Sequence, residues 1–171
     1  SNYMKANYLR ADQLIADGSY RKAVPCLKAA AYYSDKHSPF NQLSRYWLAE
    51  SYYRDDDWSQ SADLLKTLCN ISALEGKAEG RLLPYDIAYC YFKSGDYDNA
   101  EKWFDVYVAS GDKRQRRDAL TRKGDCNFIR KDYGTATASY ETAIKEFPQM
   151  DDLYPYYQAG LAYALTDNQK A

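Results

Sequence analysis

The single histidine, His37, stands beside Ser38-Pro39 with no second histidine and no cysteine close in the chain. A histidine so placed has no nucleophile to activate and reads as a solvated loop residue. The four cysteines, Cys26, Cys69, Cys90 and Cys126, form no C-x-x-C pair and read as small buried hydrophobes. Asp55-Asp56-Asp57 invites a calcium loop. Counted from Asp55, however, the places that need glycine and glutamate hold Gln60 and Lys66. Gly76-Lys77-Ala78 lacks the hydroxyl residue that a phosphate-binding loop places on Mg²⁺, and no G-x-S-x-G or G-x-G-x-x-G is present. The residues therefore predict no catalytic group, no metal site and no cofactor. The expected protein is not an enzyme.

One basic patch remains: Lys113-Arg114-Gln115-Arg116-Arg117, with Arg122, Lys123, Arg130 and Lys131. The chain as a whole is balanced, 23 Lys and Arg against 24 Asp and Glu, for a net charge of −1. Such a balance argues against a protein that coats nucleic acid or an anionic membrane. A solvated helix face explains the patch better. No run of 18 apolar residues occurs, so direct membrane insertion of this segment is not expected. The chain opens Ser1-Asn2 rather than on Met, which is compatible with a removed leader. Its 19 tyrosines carry an apolar ring and a polar tip, suited to half-buried grooves as well as cores.

The elements that must position these residues come from an internal period. Gly18-Ser19-Tyr20-Arg21-Lys22-Ala23 is echoed by Asp56-Asp57-Trp58-Ser59-Gln60-Ser61, then by Gly95-Asp96-Tyr97-Asp98-Asn99-Ala100 and Lys131-Asp132-Tyr133-Gly134-Thr135-Ala136. A degenerate fifth copy is Thr166-Asp167-Asn168-Gln169-Lys170-Ala171. The final small residues fall at 23, 61, 100, 136 and 171, so the intervals are 38, 39, 36 and 35 residues. In the second column Ser19, Asp57, Asp96, Asp132 and Asp167 are preferred helix N-caps. Gly18 and Gly95 suit the left-handed residue that ends a preceding helix. Tyr20, Trp58, Tyr97 and Tyr133 open the apolar face of the next helix. Val24 and Leu27, then Leu64, Leu65 and Leu68, then Trp103, Phe104 and Tyr107, then Tyr140, Ala143 and Ile144 continue it. Twelve residues before each mark sits another small residue: Ala11, Ala49, Ala88, Gly124 and Ala159. Each copy thus predicts a helix, a short turn, a second helix and a variable return loop, the longest of these over Ser72 to Gly80.

This pattern resembles the tetratricopeptide repeat. The small residue on the first helix, the cap–aromatic–x–x–small junction, and Phe147-Pro148 closing the fourth unit carry the resemblance. Asn127 and Leu14 in place of an aromatic, Ser61 in place of alanine, and Pro25 inside a helix depart from it; Pro25 is expected to bend that helix. The resemblance implies an all-α fold, a right-handed α-solenoid of antiparallel helix pairs over residues 1–171. Its units span 2–37, 40–75, 79–112, 114–148 and an incomplete 150–171, read as part of a longer array. Phe92-Lys93-Ser94-Gly95-Asp96-Tyr97 and Lys123-Gly124-Asp125-Cys126-Asn127-Phe128 are similar to repeats of bacterial cell-envelope proteins. That likeness implies a periplasmic or envelope location, with the cytoplasm as the alternative.

In that family the first helices of each pair line a concave groove. Carried onto this sequence, the groove positions give Leu43, Tyr46, Glu50, Tyr53 and Arg54, then Leu82, Tyr85, Tyr89, Phe92 and Lys93, then Asp118, Thr121, Asp125, Phe128 and Ile129. The set Tyr46, Glu50, Tyr53, Tyr85, Tyr89, Phe92, Lys93, Thr121, Asp125 and Phe128 is the candidate surface for a peptide or helix of a partner protein. The grip on an acidic C-terminal tail known in the family needs Asn and Lys where this chain has Asp12, Glu50, Tyr89 and Asp125, and Tyr8, Tyr46, Tyr85 and Thr121. An acidic tail is not the expected ligand. The alternatives are an RNA-binding helical repeat of the pentatricopeptide kind, against which the uneven repeat length speaks, and a spacer or self-association module.

Overall fold

The computed structural model describes residues 2–71, 74, 76–149 and 151–170. Among the described residues the chain forms α-helices and no strand. It divides into two compact units, residues 1–90 and 91–171.

The first unit holds α1 (Asn2–Ala16), α2 (Tyr20–Tyr32), α3 (Pro39–Arg54), α4 (Trp58–Leu68) and most of α5 (Ala78–Lys93). Successive helices α1 to α4 pack on one another in order. Ala11, Ala23, Leu27 and Leu48 are buried together, with Leu14, Trp47, Tyr52 and Leu64 packed around them. The small residues Ala11, Ala49, Ala88 and Ser61, 12 residues from Ala49, are almost fully buried, as close helix approach requires. α3 is capped by the Ser38 side chain, which accepts from the Asn41 N–H at 3.2 Å, with Pro39 in the first turn. Pro25 lies inside α2 without ending it; its missing N–H removes a single helical bond.

The second unit holds α6 (Tyr97–Ala109), α7 (Arg116–Ile129), α8 (Tyr133–Glu146) and α9 (Tyr154–Lys170). Phe104, Tyr107, Tyr140 and Ala143 are fully buried, on the faces that their spacing assigns. Asn127, which replaces an aromatic, is buried as well. Its Oδ1 accepts from Arg130 at 2.7 Å, while its Nδ2 has no hydrogen-bond partner among the described residues.

Four junctions close in the same way. The N–H groups of Gly18, Asp56, Gly95 and Lys131 reach back three residues, and those of Ser19, Asp57, Asp96 and Asp132 reach back five, at 2.7–3.2 Å. The first of each pair has φ between +59 and +80. The second then starts the next helix, so one residue both satisfies the old helix end and caps the new one. The side chains of Asp57, Asp96 and Asp132 accept from Gln60, Asn99 and Thr135 N–H groups at 3.2–3.3 Å. Ser19 makes no such side-chain bond and caps by position alone.

The fifth junction is not formed. Asp167 lies inside α9, which continues to Lys170, so it caps nothing. The place that takes the left-handed φ at Gly18, Asp56, Gly95 and Lys131 is held here by Thr166, a β-branched residue that disfavours that conformation, and the helix runs on. Ala171 and Ser72, the last repeat mark and the start of the long return loop, fall outside the described residues.

Candidate functional site

α3, α4 and α5 surround a cavity of about 190 Å³ in the first unit. Its lining follows from helical spacing. α3 contributes Tyr46, Glu50 and Tyr53, four and three residues apart on one face. α5 contributes Tyr85, Asp86 and Tyr89, and Ser61 and Leu65 of α4 form the floor. The Ser61 hydroxyl donates to the Ala49 carbonyl at 2.8 Å, so the departure from alanine costs no orphaned group. Tyr85 and Tyr89 meet edge to face, with ring centroids 4.9 Å apart.

The electrostatics are one-sided. Burial, reinforced by the negative charge of Glu50, pushes the Asp86 carboxyl up to about 7. The Tyr46 phenol is pushed up to about 12, first by burial and then by Asp86, Glu50 and Glu79. Tyr53 moves in the same direction for the same first cause. Cys90, behind the cavity, has its thiol pushed up to about 11 by burial and is a packing residue rather than a nucleophile. Glu50 accepts from Arg54 Nε at 2.8 Å, and that guanidinium lies over the Tyr20 ring at 5.2 Å. Asp86 has no hydrogen bond or ion pair among the described residues.

The structure thus brings Tyr46, Glu50, Tyr53, Tyr85 and Tyr89 together. It does not gather the other candidates of the second unit into a comparable cavity. Phe92 packs edge to face on Tyr97 at 5.6 Å, and Phe128 on Tyr133 at 5.2 Å, each sealing a junction. Lys93 is exposed. Thr121 is buried and donates to the Arg117 carbonyl at 2.9 Å. Asp125 is buried too, and its carboxylate accepts from Tyr140, Tyr154 and Arg122 at 2.6–2.8 Å. Asp86 is the lining residue that the repeat columns miss. Its place three residues before Tyr89 was the available signal, since that step returns to the same helical face.

The remaining motifs are absorbed structurally. Asp55 takes an ion pair from Arg21, Asp56 holds the left-handed turn and Asp57 caps α4. His37 is an exposed loop residue whose N–H donates to Asp35 at 2.7 Å. No group of three metal-ligating side chains occurs among the described residues. Cys90 and Cys126 are buried and Cys26 and Cys69 half-buried, all as free thiols. The basic patch is largely neutralised: Arg114 pairs with Asp112, Arg116 with Glu146, Arg117 with Asp152, Lys123 with Asp105, and Arg130 with Asp98 and Glu101.

Helix pairs repeated at a near-constant interval, joined by turns with the same backbone hydrogen bonds, define an all-α helical-repeat protein. Residues 8–74 match the family model described as tetratricopeptide repeat. The fold likeness extends further. MamA from Desulfovibrio magneticus is similar with a TM-score of 0.77 at 14% identity, over 99% of this chain and 89% of that one. A Podospora anserina structure described as putative kinesin light chain repeats gives 0.70 at 14% identity, over 98% and 88%. The first such domain of Spaghetti, bound to the HSP90 peptide SRMEEVD, gives 0.58 at 16% identity, over 76% of this chain and 94% of that one. At these identities the likeness concerns the fold. No curated protein matches the sequence.

Proposed function

We propose that this chain is a non-catalytic protein-interaction scaffold that docks a peptide or helix of a partner protein against α3 and α5. The observation that carries the reading is the cavity in which Tyr46, Glu50, Tyr53, Tyr85 and Tyr89 converge. Tyrosine rings bury a large area at small entropic cost and are favoured anchors of interfaces. The use of the same fold to hold a peptide in Spaghetti supports it. That peptide is acidic, and Glu50 with Asp86 would repel one like it, so the ligand here is of another kind. RNA binding is the weaker alternative, because the basic side chains that would meet phosphates are committed to carboxylates of this chain. The envelope-type wording of Phe92 to Tyr97 supports a periplasmic or cell-envelope setting as part of the same proposal. Among the described residues no helix is long and apolar enough to cross a membrane.

The test is a random dodecapeptide display library panned against the chain, followed by fluorescence anisotropy with the selected peptides. Tyr46→Ala and Tyr89→Ala should each weaken binding by about tenfold or more, the range of an interface anchor, while the circular-dichroism melt keeps its cooperativity. Selected peptides that bind both variants as tightly as the parent chain would place the docking surface elsewhere.

A further inference from the structure

The cavity's composition sets the charge of what fits into it. The charged residues that line it are Asp86 of α5 and Glu50 of α3; beyond the lining, Glu79 is close enough to act on Tyr46 and Arg54 on Tyr53. Three carboxylates thus act on the cavity's tyrosines against one guanidinium, and that guanidinium is already engaged by Glu50 and the Tyr20 ring. The α4 floor, Ser61 and Leu65, adds no charge. The walls are tyrosine rings, whose faces carry the negative end of a quadrupole and attract cations.

We infer that this cavity receives a basic side chain, arginine or lysine, of the docked partner polypeptide, with the Asp86 carboxylate as its counter-ion and the tyrosine rings as its walls. The inference rests on the docking reading above and specifies its ligand. Size agrees: about 190 Å³ falls below the usual volume of a small-molecule pocket and suits one inserted side chain. Energetics agree as well. A half-buried carboxyl without a hydrogen bond or ion pair among the described residues is costly, and a cation brought by the partner offsets that cost with a charge-assisted hydrogen bond. Because burial holds Asp86 partly protonated near neutral pH, insertion of a cation ionises it and releases a fraction of a proton.

The experiment uses the library-selected dodecapeptides whose binding is lost in Tyr89→Ala. Each arginine is replaced by citrulline, which keeps shape and removes charge, and each lysine by glutamine. One such replacement should weaken binding to the parent chain by about tenfold or more. The same replacement should cost less than about twofold in Asp86→Asn or in Glu50→Gln with Asp86→Asn, since the two losses describe one interaction. Thermal melts of both variants establish that they are folded. Tyr89-dependent peptides that tolerate every neutralisation would overturn the basic anchor and leave docking intact. A library yielding no Tyr89-dependent peptide would overturn both.

Discussion

The Tyr140 hydroxyl, on α8, donates to the Asp125 carboxylate of α7 at 2.6 Å. The same oxygen accepts from Tyr154 at 2.8 Å, and the other takes Arg122 at 2.6 Å. Three helices of the second unit are thereby tied to one buried carboxylate. Asp125→Ala would orphan three donors, so its expected cost is about 3–5 kcal/mol in urea denaturation. Tyr140→Phe removes one bond and leaves the others, costing about 1 kcal/mol. Peptides held by Tyr89 should bind Asp125→Asn as they bind the parent chain; anisotropy on both proteins checks this.

Beside Asp125, Gly124 is short of a side chain for a steric reason. A Cβ there would lie 2.5 Å from Cε1 of Tyr140. That ring is fully buried and held at its hydroxyl, so it has nowhere to move. Gly124→Ala gains helix propensity on an isolated-helix scale, yet in this fold it should lose about 1–3 kcal/mol by overpacking. A combined Gly124→Ala, Tyr140→Leu variant relieves the clash and should recover part of the loss. Chemical denaturation of the three proteins gives the comparison.

At the four repeated turns glycine occupies the left-handed position twice, while Asp56 and Lys131 hold it with φ of 59 and 64. An L side chain pays about 1–2 kcal/mol for that conformation, and glycine gives part of it back through a freer unfolded chain. Lys131→Gly should therefore raise stability by about 0.5–1 kcal/mol. Asp56→Gly should gain less, because Asp tolerates the region better than Lys. Differential scanning calorimetry resolves both shifts.

These turns also show why much of the fold was legible in the sequence. The cap at Asp57, Asp96 and Asp132, the aromatic after it and the small residue three further on are local requirements, each fixed by neighbours in the chain. The fifth copy fails for the same reason: Asp167 has the cap chemistry, but β-branched Thr166 before it disfavours the left-handed turn, so α9 does not stop. The site was legible only in part. Helical spacing alone places Tyr46, Glu50, Tyr53, Tyr85 and Tyr89 on facing surfaces. It cannot tell that Asp125 meets Tyr140 and Tyr154 from 15 and 29 residues away, and so is spent inside the unit. Nor do the repeat columns mark Asp86, whose role comes from burial first and then from Glu50 on α3.

The Asp86 carboxyl makes stability depend on pH with a definite sign. Unfolded, it titrates near 4; folded, burial and then Glu50 raise it to about 7. Below pH 4 it is protonated in both states and costs nothing. As pH rises from about 4 to 7 the unfolded chain gives up its proton first, so stability falls through that window, and above 7 the loss is constant. The penalty at pH 8 is on the order of 2–4 kcal/mol once partial solvent screening is allowed for. Asp86→Asn mimics the protonated form, so it should melt with the parent chain at pH 4 and clearly above it at pH 8. Glu50→Gln removes the second cause of the shift and should narrow the window without abolishing it. A peptide with a basic residue in the cavity acts in the opposite direction to the penalty, and its stabilising effect on the parent chain should grow between pH 5 and pH 8. Melting curves at four pH values across that range, with and without the selected peptide, measure all three effects; equal pH dependence of the parent chain and Asp86→Asn would show that another group controls this window.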